Sequence, residues 1–195
     1  SVVSIGVSAP RYSTLAEWLA WQEQLHPRSM DFTLERARTV LQRLQLQRPT
    51  YRVLTVAGTN GKGTTAGLLQ RVLSFNNRKS VLSGRGQPVS SVVEQTKDLD
   101  YLILQVNSFD LEITEAFRPA IAVLTNLSPD HLDRYGTPDA YVRANASLFR
   151  NQQAFDWAIV QNEALLRLRH LNQPVPAKTI TFSADDAAAD LHLER

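Results

Sequence analysis

Apolar residues along the chain fall into two rhythms. Compact apolar runs occur at Tyr51–Ala57, Tyr101–Val106, Ala120–Leu124, Trp157–Val160 and Lys178–Phe182. Their length and apolar continuity predict strands buried on both faces. Between them, apolar positions recur at helical spacing over Lys62–Phe75, Val89–Gln95, Pro138–Arg150 and Glu163–Asn172. Two further helical patterns precede the first strand. Ser13–Gln24 carries Leu15, Trp18, Leu19 and Trp21, with Ser13 or Thr14 as the cap. Thr33–Gln45 carries Leu34, Ala37, Val40, Leu41 and Leu44, opens on Asp31 and is closed by Pro49. At that spacing Trp18 and Trp21 read as packing residues rather than a stacking platform for a ligand.

Strands alternating with helices predict an α/β fold of the P-loop type: a doubly wound, mostly parallel sheet with helices on both faces. Right-handed crossovers then bring the loop after every strand to one edge, where ligands bind in such sheets. Residues 1–10 read as an N-terminal tail and 11–195 as a single domain. The final "ADLHLER" alternates like a strand and carries no terminus signal, so the chain is expected to stop inside a longer fold.

Composition narrows the function classes. A hydrophobic fraction of 43% is ordinary for a globular domain. No apolar stretch reaches the roughly 18 residues of a membrane span, and "SVVSIGVSAP" lacks the charged start of a secretory signal. The chain has no cysteine, which excludes disulfides and thiolate metal sites and fits a cytoplasmic location. Net charge is only +2, without a long basic run, which argues against nucleic acid as the partner.

The strongest chemical signal is "VLTVAGTNGKGTTAGLLQRVL", residues 53–73. An apolar strand runs into Gly58, Thr59, Asn60 and Gly61, and Lys62 opens a helix. Backbone N–H groups at a helix start form an anion cradle, and glycines let phosphates approach closely. Lys62 adds a positive charge for phosphate, and beyond Gly63 either Thr64 or Thr65 offers a hydroxyl to Mg²⁺. The strict Walker pattern is not met: position 56 is Val, and Gly63 follows Lys62 where a hydroxyl residue is expected. A plain glycine-rich turn without ligand is the competing reading.

The variant "AGTNGKGT" resembles the phosphate loop of the Mur ligase family, particularly its folylpolyglutamate and dihydrofolate synthase branch. "WLAWQEQLHPRSMDFTLERARTVLQRLQLQRP" resembles the helical lead-in of the same branch. Further on, "DLDYLILQVNSFDLE", "FRPAIAVLTNLSPDHLDRYGTPDAYVRANASLFRNQ" and "DWAIVQNE" are similar to the branch that adds D-glutamate to UDP-N-acetylmuramoyl-L-alanine. "SVVSIGVSAP" is faintly similar to the end of that branch's first domain. The mixture reads as a patchwork, so a recombined or engineered chain is among the alternatives.

The resemblance implies an ADP-forming acid–amino-acid ligase with ATP and Mg²⁺ as cofactors. A substrate carboxylate would attack the γ-phosphate, and an amine would displace phosphate from the acyl phosphate. Two anions must meet in the first step, so positioning and electrostatics supply most of the catalysis. In "TNLSPDHLDRYG" the resemblance makes His131 a magnesium-binding residue, with Asp130 and Asp133 orienting it or its neighbours. A solvated loop with a capping aspartate is the competing reading. Lys62 and His131 are the implied catalytic pair, and Thr64, Gln105 and His131 the implied metal contacts.

Two positions depart from the family pattern. Gln105 of "QVNSFD" stands where the resemblance implies a metal-binding glutamate, and Asn145 stands where it implies a carbamylated lysine. An amide oxygen can ligate Mg²⁺ without supplying negative charge, and asparagine cannot form a carbamate. Asn107 for serine is a milder change. These departures predict nucleotide binding with weak or absent ligation. The family's UDP-binding N-terminal domain and its C-terminal domain are expected to be missing.

The remaining candidates read as bland. "SGRGQP", residues 83–88, is either a substrate-side glycine loop or a plain turn. His26, His170 and His192 lack ligand spacing, and Asp185, Asp186 and Asp190 read as a solvated loop. The expected partners are a nucleotide and a small-molecule acid, with no nucleic acid and no membrane, bound by a monomer. A folylpolyglutamate or dihydrofolate synthase-like ligase is the first alternative. A non-catalytic nucleotide-binding fragment or engineered scaffold is the second.

Overall fold

The computed structural model describes residues 14, 50–84, 87–92 and 98–193. The helices expected over Ser13–Gln24 and Thr33–Gln45, with Trp18, Trp21 and His26, lie outside the described residues. The chain divides into two compact units, Ser1–Leu46 and Gln47–Arg195, and every element below belongs to the second.

Its strands are β1 (Arg52–Ala57), β2 (Ser80–Ser83), β3 (Tyr101–Gln105), β4 (Ile121–Leu124), β5 (Trp157–Gln161), β6 (Lys178–Ser183) and β7 (Leu191–His192). They form one seven-stranded sheet in the order β2-β3-β1-β4-β5-β6-β7, and every pairing is parallel. Helices α1 (Lys62–Phe75), α2 (Val89–Val92), α3 (Ser108–Glu112), α4 (Leu132–Tyr135), α5 (Pro138–Ala146) and α6 (Asn162–His170) fill the connections. A 3-10 turn, Ser147–Phe149, extends α5. None of these helices is long and apolar enough to cross a membrane.

Strand alternation builds a core on each face. Leu54, Val56, Ile103 and Val123 point to one side and pack with Ala66, Leu69 and Leu73 of α1. Ala57, Ala122, Leu124, Ala158 and Val160 point to the other and pack with Tyr141, Val142, Leu165 and Leu168 of α5 and α6. Every second residue of β1 and β4 is thus claimed by a different helix layer. That is why these strands read as unbroken apolar runs.

The strand order reverses at β1. The chain leaves β1 for α1 on one face, while β4, its neighbour, continues into α4 and α5 against the other. Loops that part to opposite faces leave a crevice beyond the carboxyl ends of the two strands, the usual ligand position in such sheets. The loops at this point are Gly58–Gly61 and Thr125–His131.

Candidate functional site

Two glycines shape the loop after β1. Gly58 has φ +123°, and a Cβ there would lie 2.4 Å from Thr125 Oγ1 and 2.9 Å from Asn126 O. Gly61 has φ +80° and starts α1 without any side-chain cap. The first-turn amides of a helix have no intrahelical acceptor, so α1 presents donors at the sheet edge. No acidic residue competes for them in that turn.

The loop after β4 is laced to this one. Thr59 N–H donates to Asn126 O at 3.1 Å, and Asn60 N–H donates to Asn126 Oδ1 at 3.0 Å. Asn126 Nδ2 and Thr125 Oγ1 both donate to Asn60 O, at 3.0 and 2.6 Å. Thr59 Oγ1 donates to Ser128 O and accepts Ser128 N–H, both at 3.0 Å. These bonds satisfy backbone groups that β1 and β4 cannot pair, and they hold both motifs on the edge expected from sequence.

Lys62 curls back over the loop. Its Nζ donates to Gly58 O at 2.7 Å and to Thr59 O at 2.9 Å, fixing a positive charge at the loop mouth. Thr64 is exposed in the first turn of α1, and Thr65 donates its N–H to Gly61 O. Gln105 closes β3 beside β1, paired in register with Val56. Its Oε1 would lie 3.4 Å from a Cβ on Gly63, so the amide oxygen rests against the start of α1.

Of the residues 83–88, Ser83, Gly84 and Gln87 are tied together at the end of β2. Gly84 and Gln87 exchange backbone bonds of 2.9 and 3.0 Å, and Ser83 Oγ donates to Gln87 O. A side chain at Gly84 would collide with Gln105, at 2.7 Å from its Cβ. The glycine therefore lets the backbone at position 84 lie directly on Gln105.

His131 begins α4 with φ +51°, a left-handed conformation unusual for a non-glycine residue. Asp130 Oδ1 accepts its backbone N–H at 2.8 Å, and Asp130 Oδ2 lies 3.6 Å from Nε2. Phe109 backs the ring at 4.7 Å between centroids. Asp130 thus orients His131, whereas Asp133 sits in the first turn of α4 without a hydrogen bond to it. Among the described residues, no group of three His, Asp or Glu side chains is placed to hold a metal.

Asn145 is a buried residue next to Tyr141. It is 1% exposed on α5 and donates from Nδ2 to Tyr141 O, one helical turn back, at 2.9 Å. Its Oδ1 is buried without a protein partner. Asn107 caps α3: its Oδ1 accepts Asp110 N–H and Asp110 Oδ2 accepts Asn107 N–H, both at 2.9 Å. This reciprocal box accounts for Asn107 as a structural residue.

Sequence reasoning missed Tyr141. It is 3% exposed, and its hydroxyl lies 3.0 Å from Thr59 Oγ1. Burial pushes its phenol above the ordinary range. Within "AYVRANA" a tyrosine reads as one more residue of the apolar face, and nothing local marks its partner 82 positions away. His170 and His192 are exposed, as expected. The acidic loop is better ordered than expected. Asp186 accepts Asn162 Nδ2 at 2.6 Å, and Asp190 accepts the amide and hydroxyl of Thr181.

The Mur ligase middle domain profile matches residues 56–195, the whole stretch from the end of β1 onward. The chain belongs to the Mur ligase middle domain family. The UDP-N-acetylmuramoylalanine–D-glutamate ligase of Natranaerobius thermophilus is 37% identical over 117 residues, covering 60% of this chain and 25% of the relative. The chain therefore spans about a quarter of the length of that relative. A solved UDP-N-acetylmuramoyl-L-alanyl-D-glutamate–2,6-diaminopimelate ligase superposes with TM-score 0.58 at 25% identity, covering 78% of this chain and 36% of that one. Escherichia coli FolC, solved in complex with DHPP and ADP, superposes with TM-score 0.52 at 24% identity. That match covers 90% of this chain and 53% of FolC. These superpositions share the parallel α/β architecture. The second motif, "TNLSPDHLDRYG", sits within the matched family region.

Proposed function

We infer that this Mur ligase middle domain binds ATP at the crevice between β1 and β4, as the nucleotide-binding part of an ADP-forming acid–amino-acid ligase. The ligase type supported best is the one that joins D-glutamate to UDP-N-acetylmuramoyl-alanine, the activity named for the 37% identical relative. The observation that carries the nucleotide reading is the loop itself. Uncapped amides of α1, two positive-φ glycines and Lys62 Nζ all converge on the edge where the family motif after β4 also lies.

The residues act mainly by holding charge. The amides from Gly61 to Thr64 cradle phosphate oxygens, and Lys62 exchanges its two carbonyl partners for them. Thr59 and Asn60, pinned to Asn126 and Ser128, keep the loop from collapsing when Lys62 lets go. The donors fit an Mg²⁺ that arrives with the triphosphate. Gln105 Oε1 lies beside Gly63, Thr64 offers a hydroxyl in the same turn, and neither brings a charge. When bound, that ion would neutralise phosphate charge ahead of attack by the substrate carboxylate.

A second reading is a nucleotide-binding module with little turnover. It is favoured by Asn145, which is buried and turned onto its own helix, and by the neutral amide of Gln105. Calorimetric titration with ATP tests the common core of both readings. Lys62→Ala should weaken binding about tenfold or more, the scale of a lost charge-assisted contact. Equal affinity in the two proteins would refute the loop assignment.

A further inference from the structure

Tyr141 connects the two halves of the site. Its ring belongs to the buried core under α5, but its hydroxyl reaches the loop after β1, 3.0 Å from Thr59 Oγ1. The direction of that bond follows from the other partners of Thr59. The threonine hydroxyl has one proton, which goes to Ser128 O, and it already accepts Ser128 N–H. Only an acceptor lone pair remains, so Tyr141 O–H is the donor.

The ring of Tyr141 faces the other motif. Its centroid lies 6.4 Å from that of His131, tilted by 57°, and 5.6 Å from Tyr135 in an edge contact. Phe109 completes this group, 4.7 Å from His131 and stacked at 6.0 Å on Tyr135. The backbone that carries Tyr141 is held from below, since its carbonyl accepts Asn145 Nδ2. Two nearby hydroxyls, Ser108 Oγ and Tyr135 OH, are buried with no protein partner. Tyr141, by contrast, has a partner from a different loop.

We propose that Tyr141 is a positioning residue that couples the phosphate loop to His131, its O–H fixing Thr59 and its ring setting the histidine. The coupling rests on the nucleotide reading above. A phosphate group that displaces Lys62 from Thr59 O removes one of the contacts that set Thr59 while the loop stays in place, and the Tyr141 hydroxyl passes that change to the ring beside His131. A merely structural tyrosine would fill the same volume and transmit nothing.

The experiment follows the His131 ring by NMR while ATP is added to the full chain at saturating concentration. The chain has four histidines, so the His131 signals are assigned by their loss in His131→Gln. In the unmodified protein ATP should shift those signals. Tyr141→Phe keeps the ring and removes the donor. It should still bind ATP, about three- to tenfold more weakly, which is the scale of one hydrogen bond. At saturation the shift of His131 should largely disappear. Thr59→Val removes the acceptor, together with the two bonds to Ser128, and should give the same loss, which covers the case of an unstable Tyr141→Phe protein. An unchanged shift in either folded variant overturns the coupling. So does ATP binding to the unmodified protein without any shift at His131. Failure of the unmodified protein to bind ATP overturns the nucleotide reading itself, and the coupling with it.

Discussion

Gly58 lies against Thr125 so closely that a single added carbon would stand 2.4 Å from the threonine Oγ1. The same Oγ1 donates to Asn60 O at 2.6 Å, so it cannot retreat without breaking the seam between the two loops. With φ at +123°, the position also excludes side chains on backbone grounds.

Gly58→Ala should therefore cost stability as well as binding. The backbone strain alone is worth roughly 1–3 kcal/mol. Gly67, inside α1, makes the control: a Cβ there meets nothing within 4 Å. Gly67→Ala should stabilise by up to about 1 kcal/mol through helix propensity. Denaturant midpoints of the two variants should move in opposite directions.

Gln105→Glu should separate the roles of charge and shape at the end of β3. The carboxylate would repel a bare triphosphate but attract a metal-bound one. ATP affinity should fall without Mg²⁺ and rise about five- to tenfold with it, a scale set by adding one anionic ligand. Calorimetry under both conditions reads both signs. A rise in both would place the side chain away from the phosphates and contradict this position for Gln105.

Strong acid should loosen the far end of the sheet at β7. The amide and hydroxyl of Thr181 hold the Asp190 carboxylate below its ordinary value of 3.8. A depressed folded value means that the unfolded chain binds the proton more readily. The contribution is thus complete above the ordinary value and is lost as pH falls through the folded one. Carboxyl-carbon NMR should place the Asp190 midpoint below 3.8, and the Thr181 amide should follow the same curve. Asp190→Ala should abolish that transition and speed exchange at the Thr181 amide even at neutral pH.

What could be read from sequence divides by range of interaction. The helix Lys62–Phe75 was legible to its ends, because a glycine loop and a lysine mark its start and apolar periodicity carries its length. Strands β1, β3, β4 and β5 were legible because each places residues in cores on both faces. The short helices α3 and α4 were not. They have five and four residues, and their starts depend on the Asn107–Asp110 box and on the left-handed backbone of His131. Within the site, Lys62, Thr64, Gln105 and His131 were visible as chemistry. Tyr141 was not, because its significance lies in a contact with a residue 82 positions away. Asn145 was singled out for the group it lacks, whereas the structure shows a buried side chain bonded to its own helix.

The most direct test is a crystal structure of this chain with a non-hydrolysable ATP analogue and Mg²⁺. The nucleotide should lie at the carboxyl ends of β1 and β4, with phosphate oxygens on the amides of Gly61 to Thr64. Lys62 Nζ should have left Gly58 O and Thr59 O for the phosphates. A nucleotide bound elsewhere, or phosphates on this edge with Lys62 still on its two carbonyls, would contradict the account.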